Sequence, residues 1–216
     1  MKFPKCVIFD FDGVIVKTEH IKLKEIKFLS KKYGVIFPNV PVRKTAGIKT
    51  MQTLIENVEK VDMKKFQKIV SERRKMIKKD MLNCPLIPGV KSLLKFLKGN
   101  DIKIYLSTAS EREAVETFLK KKGINKYFDL KITGSEIKGE KTNPKFFLSA
   151  TESFGFSPRE TVVIEDSPSG ISGAKKAGCI VFGIKTHFTN KDLKEADKIF
   201  NSHAEIKRFF EKIKDR

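Results

Sequence analysis

Short apolar runs alternate along the chain with longer stretches in which apolar residues return every three or four positions. Lys5-Cys6-Val7-Ile8-Phe9 is the first such run, and its lack of polar alternation predicts a strand buried on both faces. Residues 18–33 place Ile21, Ile26, Phe28 and Leu29 on one side of a helix. Lys22, Lys24, Lys27, Lys31 and Lys32 fall on the other side, and Gly34 ends it. Pro38 and Pro41 mark a loop, and two further helices are predicted at about 50–58 and 62–80.

Beyond the turn-rich segment Asn83-Cys84-Pro85-Leu86-Ile87-Pro88-Gly89 the rhythm changes. Strands are predicted at 102–106, 129–132, 161–164 and 180–184. Helices are predicted at 90–98, 111–122, 144–154, 168–177 and 203–213. Ser110-Glu111-Arg112-Glu113 has the spacing of a capping box, and Gly123 closes the helix it would open. Strands alternating with helices imply a parallel sheet covered on both faces, an α/β fold. The all-helical stretch interrupts that alternation after the first strand and reads as an insertion with its own small core. The expected division is a core of 1–16 and 84–216 around a helical domain of 17–83.

Composition narrows the class. A chain of 216 residues, 40% hydrophobic and 33% charged, holds enough apolar material for a true core. No apolar run approaches the roughly 18 residues needed to span a membrane, and no signal-peptide pattern precedes the first strand. A cytoplasmic protein is therefore expected. Cys6, Cys84 and Cys179 form no CxxC pair and no disulfide framework, and Cys6 and Cys179 sit in apolar runs. The formal charge is +19, and residues 17–80 hold 18 Lys+Arg against 7 Asp+Glu. Such a field attracts anions, whether phosphorylated metabolites, nucleic acid or acidic membrane surfaces. It also describes an ordinary lysine-rich solvated surface.

In an open parallel sheet, ligands bind beyond the carboxyl ends of the strands. Asp10-Phe11-Asp12-Gly13 follows the first strand and Ser107-Thr108-Ala109-Ser110 the second. Glu165-Asp166-Ser167-Pro168-Ser169-Gly170 follows the fourth, while Lys141 lies in the approach to the helix at 144. Each segment alone has a structural explanation as a turn or a helix cap. Together they place several carboxylates at one end of one sheet, where they repel unless a cation sits among them. Hard oxygen ligands of this kind suit Mg²⁺, and a lysine and a hydroxyl beside it would address a phosphate.

These segments resemble the four motifs of the haloacid dehalogenase-like superfamily, in order, between residues 9 and 171. Phe9-Asp10-Phe11-Asp12-Gly13-Val14 is similar to the first motif and Leu106-Ser107-Thr108-Ala109-Ser110 to the second. Lys141-Thr142-Asn143-Pro144 is similar to the third, with Thr142 at a usual proline position, and Val162 through Ile171 to the fourth. The resemblance implies a Rossmann-like sheet of order 5-4-1-2-3 with a small helical cap inserted after the first motif. It implies Asp10 as nucleophile forming an aspartyl-phosphate, and Asp12 as general acid and base. Thr108 and the backbone N–H of Ala109 would hold phosphoryl oxygens, and Lys141 would offset negative charge. Asp10, the Asp12 carbonyl and Asp166 would bind Mg²⁺, with Glu165 as an additional acid, bound to the metal through water or supporting Lys141. Members that cleave carbon–halogen bonds lack an acid at the position of Asp12, so its presence favours phosphoryl transfer.

The resemblance further implies that the cap supplies substrate contacts, with Thr18, His20, Lys22, Lys49 and Arg74 as candidates. Departures bear on substrate: Lys17-Thr18 replaces a common Asp-Ser, Lys22 stands where a histidine is common, and Thr50 where β-phosphoglucomutases carry arginine. The expected activity is hydrolysis of a small phosphomonoester, a sugar phosphate or phosphoglycolate, by a monomer. A phosphosugar mutase is the alternative within the same chemistry. A nucleic-acid binder using the basic cap is the alternative of another class, without a recognised binding motif to support it.

Overall fold

The computed structural model describes residues 1–37, 63–134, 136 and 141–214. The chain divides into two compact units, Met1–Lys17 with Pro85–Arg216, and Thr18–Cys84. Each junction falls one residue beyond the boundary expected from the sequence pattern.

The larger unit is built on β1 (Cys6–Phe9), β2 (Lys103–Ser107), β3 (Leu130–Ile132), β4 (Thr161–Glu165), β5 (Ile180–Ile184) and β6 (Lys198–Phe200). All pair in parallel, in the order β3-β2-β1-β4-β5-β6. Read from the other edge, this is the expected 5-4-1-2-3 arrangement with a sixth strand added beside β5. The β6 strand escapes a periodicity reading because Lys198-Ile199-Phe200 is too short to show any period. The β1 strand lies in the middle, with Ile8 opposite Tyr105 on one side and Val163 on the other. All four of its residues are buried, as an uninterrupted apolar run demands.

On one face Cys6, Ile8, Tyr105, Val163 and Val181 pack with Phe146, Phe147 and Ala150 from one helix and Ile171 and Ala174 from another. Cys6 and Cys179 belong to this cluster and act as small hydrophobes. Burial pushes both thiols up to about 12, which leaves them un-ionised and unreactive at neutral pH. On the other face Phe182 stacks among Phe200, Phe209 and Phe210, with ring centroids 5.0–5.5 Å apart. In the larger unit the helices are Val90–Lys98, Arg112–Lys121, Lys145–Phe154, Pro168–Lys176 and His203–Lys214.

His203 opens the last of these helices, fully buried against Gly89. The carbonyls of Pro88 and Val14 face its ring, but neither ring nitrogen completes a hydrogen bond. Burial therefore holds it neutral, with a pKa lowered from its ordinary 6.5 to about 4. The unfolded chain takes up this proton first, so stability falls as pH drops from about 6.5 towards 4. The loss between pH 7 and pH 5 is about 2 kcal/mol from this group. Urea unfolding at the two pH values is expected to show that difference shrinking by this amount in His203→Gln.

The smaller unit contains α1 (Glu19–Tyr33) and α2 (Met63–Asn83). The helix predicted at 50–58 lies outside the described residues. The α1 helix ends as its sequence directs, with Gly34 at φ 69° donating its N–H to the carbonyl of Ser30. Leu29, Val35 and Ile69 form a small core with Phe28, Tyr33, Phe37, Phe66 and Val70. A feature absent from the apolar pattern is Glu25, which is buried on α1 and pairs with Arg73 of α2. The Lys22 ammonium also lies 3.8 Å from Glu25. No helix among the described residues is long and apolar enough to cross a membrane.

Candidate active site

Because all six strands run the same way, the segments that follow them emerge at one edge of the sheet. Asp10 follows β1 and is tied into the ladder by its N–H, which donates to the Ile164 carbonyl at 3.1 Å. The chain then turns tightly: the Gly13 N–H reaches the Val16 carbonyl at 2.8 Å, and Ile15 N–H the Phe11 carbonyl at 2.8 Å. Gly13 sits at φ 78°, in the left-handed region, and a Cβ there would fall 1.9 Å from Asp166 Oδ2. Glycine thus lets the β1 turn approach the acid beyond β4. The Gly13 carbonyl accepts from Thr186 Oγ1 at 2.6 Å, so the segment after β5 braces the same turn.

The β2 strand ends on Ser107, whose hydroxyl donates to the Phe146 carbonyl, followed by Thr108, whose N–H extends the ladder to the Ile132 carbonyl. Both side chains are fully buried, while Ala109 is exposed at the sheet edge. The expected capping box is not formed. The helix begins at Arg112 after Glu111, which makes no side-chain cap bond, and the Ser110 hydroxyl donates to Asp12 Oδ2 at 2.6 Å. A stronger acceptor, an aspartate 98 residues away in the chain, takes the bond that the local pattern assigned to the helix.

Lys141 reaches between two carboxylates. Its ammonium pairs with Asp10 Oδ1 and lies 2.8 Å from Glu165 Oε2, with only 11% of the side chain exposed. The other oxygen of Glu165 accepts from the backbone N–H of Asp166, the backbone N–H of Ser167 and the Ser167 hydroxyl, at 2.9–3.0 Å. The Ser167 hydroxyl in turn accepts from the Gly170 N–H and caps the helix Pro168–Lys176. A Cβ on Gly170 would meet Glu165 Oε2 at 2.0 Å, so glycine is needed where the helix meets this acid. Glu165 is therefore saturated with donors, and Asp10 and Asp166 are the buried acids left facing the cluster.

Oxygens of Asp10, Glu165 and Asp166 lie within 4.8 Å of one another, and all three residues are buried. With the half-buried Asp12 nearby, the Lys141 ammonium faces more carboxylate charge than it can balance. Burial, then the charge of Glu165, pushes Asp10 up to about 8, and Lys141 offsets this only in part. Asp166 is raised for the same reasons: burial, then Glu165 and Asp10. For Lys141 burial works against the charge, but Asp10 and Glu165 outweigh it and hold its pKa above the ordinary value. An all-oxygen, charge-excessive pocket of this kind could hold a hard divalent cation. Such a cation would relieve the repulsion that the lysine leaves.

The structure thus brings Asp10, Asp12, Thr108, Lys141, Glu165 and Asp166 to the ends of β1, β2 and β4 within one unit. Thr18, His20, Lys22 and Arg74 belong to the helical unit, and Lys49 lies outside the described residues. Thr18 precedes α1 without a side-chain cap bond, its carbonyl accepting from Ile21 and Lys22. His20 is exposed, its Nε2 lying 3.5 Å from Cys84 Sγ. Arg74 lines a shallow groove on α2 with Phe66 and Val70. Sequence reasoning missed Thr186 and the true partner of Ser110. Extending the strand-end rule to β5 would have found Thr186, whereas no local signal marks the Ser110–Asp12 bond.

Residues 7–184 match the family described as haloacid dehalogenase-like hydrolase. A phosphorylated carbohydrates phosphatase of Thermotoga maritima is 34% identical over 179 residues, which cover 81% of this chain and 82% of the relative. A β-phosphoglucomutase of Bacillus subtilis is 27% identical over 197 residues, 83% of each chain. Among solved structures, the β-phosphoglucomutase of Clostridium difficile superposes with a TM-score of 0.80 at 24% identity. The match covers 99% of this chain and 100% of that one, and it supports the fold.

Proposed function

The chain belongs to the haloacid dehalogenase-like hydrolases, and from that premise we propose that it is a Mg²⁺-dependent phosphatase acting on a small phosphomonoester of the sugar-phosphate or phosphoglycolate class. The observation that carries this reading is the convergence of Asp10, Asp12, Thr108, Lys141 and Asp166 at one sheet edge. The phosphatase named among the relatives supports the substrate class.

Asp10 attacks phosphorus through a carboxylate oxygen, and the bond from phosphorus to the ester oxygen breaks as the aspartyl-phosphate forms. Asp12 gives its proton to the departing oxygen, so the product leaves as a neutral alcohol. Asp12, now ionised, takes a proton from the water that attacks the aspartyl-phosphate. Inorganic phosphate leaves, Asp10 is restored, and Asp12 is again protonated. Thr108 and the Ala109 N–H hold phosphoryl oxygens, and Lys141, fixed by Glu165, faces the nucleophile and the charge that gathers beside it. Asp10, the Asp12 carbonyl and Asp166 would hold Mg²⁺, which when bound polarises phosphoryl oxygens and offsets the carboxylate charge. The helical unit acts as the cap, with Thr18, His20, Lys22, Lys49 and Arg74 as its candidate contacts to the substrate body. The protein works in this reading as a cytoplasmic monomer.

A panel of hexose, pentose and nucleoside phosphates, phosphoglycolate and p-nitrophenyl phosphate tests the proposal by phosphate release. Turnover with Mg²⁺ that stops on chelation and returns with added Mg²⁺ is expected, with a sugar phosphate or phosphoglycolate among the best substrates. Folded protein that releases no phosphate from any member would count against it. The mutase relative favours one second reading, transfer of the phosphoryl group back to a reoriented sugar. Lys22 and Thr50, in place of a histidine and an arginine, weigh against it. Incubation with β-glucose 1-phosphate separates the two, since a mutase yields glucose 6-phosphate and little free phosphate.

A further inference from the structure

Ser110 reads in the sequence as a helix cap, yet its hydroxyl donates to Asp12 Oδ2 at 2.6 Å, a short hydrogen bond. Ser110 is itself well fixed. Its backbone N–H donates to Thr108 Oγ1 at 3.0 Å, and its carbonyl accepts from the Gly134 N–H at 3.0 Å. The approach is closed behind it, since a Cβ on Gly134 would meet the Ala109 carbonyl oxygen at 2.2 Å. The turn after β2 is thus clamped to the turn after β3, and it aims one hydroxyl at the turn after β1.

Asp12 needs such a partner more than Asp10 does. Asp10 is held by Lys141 and by burial. Asp12 is only half-buried, and its carboxyl group must offer one particular oxygen to the departing ester oxygen. We propose that Ser110 is a positioning residue for the general acid: by holding Oδ2 it fixes the Asp12 side chain so that Oδ1 carries the proton to the leaving group. The same three-residue turn then serves two tasks, because Thr108 addresses the phosphoryl oxygens while Ser110 orients the acid that completes the transfer. This inference rests on the phosphatase reading above.

The leaving group supplies the test. An alkyl phosphate needs a proton on its departing oxygen, whereas p-nitrophenolate leaves without one. Since kcat/KM reports the steps through transfer to Asp10, Ser110→Ala should lower kcat/KM for the best alkyl phosphate about ten-fold. It should leave kcat/KM for p-nitrophenyl phosphate within about two-fold, and Ser110→Thr should restore most of the loss. Equal losses on both substrates, or none on the alkyl phosphate, would overturn the proposal. Asp10→Asn and Asp12→Asn run in parallel keep the two claims apart. Folded parent that releases phosphate from neither substrate would sink the phosphatase reading itself, and turnover surviving in Asp10→Asn would sink the role given to Asp10. A leaving-group split in Asp12→Asn without one in Ser110→Ala would sink only the role given to Ser110.

Discussion

Asp10→Asn is expected to lower phosphate release at least about a thousand-fold while leaving the protein folded and, in chelator, no less stable than its parent. The activity loss follows from chemistry: an amide oxygen is a far weaker nucleophile than a carboxylate, and the buried acids beside it are already engaged. Glu165 is committed to Lys141 and three other donors, and Asp166 is a ligand of the cation in the proposed mechanism. The stability expectation separates a catalytic effect from misfolding. Asp10 sits among carboxylates that together outweigh the Lys141 charge, and its pKa is pushed up to about 8 by burial and by Glu165. A raised carboxyl pKa means the folded state disfavours the charge. Near neutral pH the folded protein must either keep that charge or take up a proton to lose it. An amide spares both costs, partly offset because a neutral amide attracts the Lys141 ammonium less strongly than the ionised acid does. Urea unfolding in EDTA, alongside the phosphate assay, checks both halves. A variant that is inactive because it is unfolded would leave the nucleophile unidentified.

Lys141→Met should fail in the opposite way. The ammonium lies between Asp10 and Glu165, and the site around it is almost closed. Methionine keeps much of the length and shape but leaves Asp10, Glu165 and Asp166 buried together without that counter-charge. Breaking a buried pair from one side costs on the order of 3 kcal/mol even after partial protonation of the acids. The midpoint of urea unfolding in EDTA is therefore expected to fall by that equivalent, with part of the loss recovered when Mg²⁺ is added. Phosphate release should fall by roughly a thousand-fold, since a preorganised charge at the reacting centre is lost. Parent-like stability in EDTA would show that Lys141 does not hold these carboxylates together.

How much of this was legible in the chain depends on the range of the interaction concerned. Buried strands announced themselves as unbroken apolar runs, and Gly34 marked a helix end, because both depend on neighbours in sequence. Asp10, Asp12, Thr108, Glu165 and Asp166 could be gathered because a parallel sheet brings its strand ends together whatever the length of the connections. Lys141, which follows no strand directly, was singled out by the resemblance of Lys141-Thr142-Asn143-Pro144 to the third motif. Contacts that depend on a partner far along the chain were not legible. Ser110 satisfied the local capping pattern yet bonds to Asp12, and Thr186 braces Gly13 across 173 residues. Glu25 sits on an otherwise lysine-rich helix and is buried because Arg73 meets it from α2. The β6 strand exists because β5 offers it a ladder, since its own three residues carry no period.

The central claim is that phosphate passes through a covalent bond to Asp10. During turnover of the best substrate with Mg²⁺, the protein can be quenched in acid, reduced with borohydride and digested. The account predicts that the peptide containing Asp10 carries the phosphoryl group before reduction and homoserine at that position after it. Active enzyme whose Asp10 peptide never carries phosphate, or which carries it on another residue, would contradict the account.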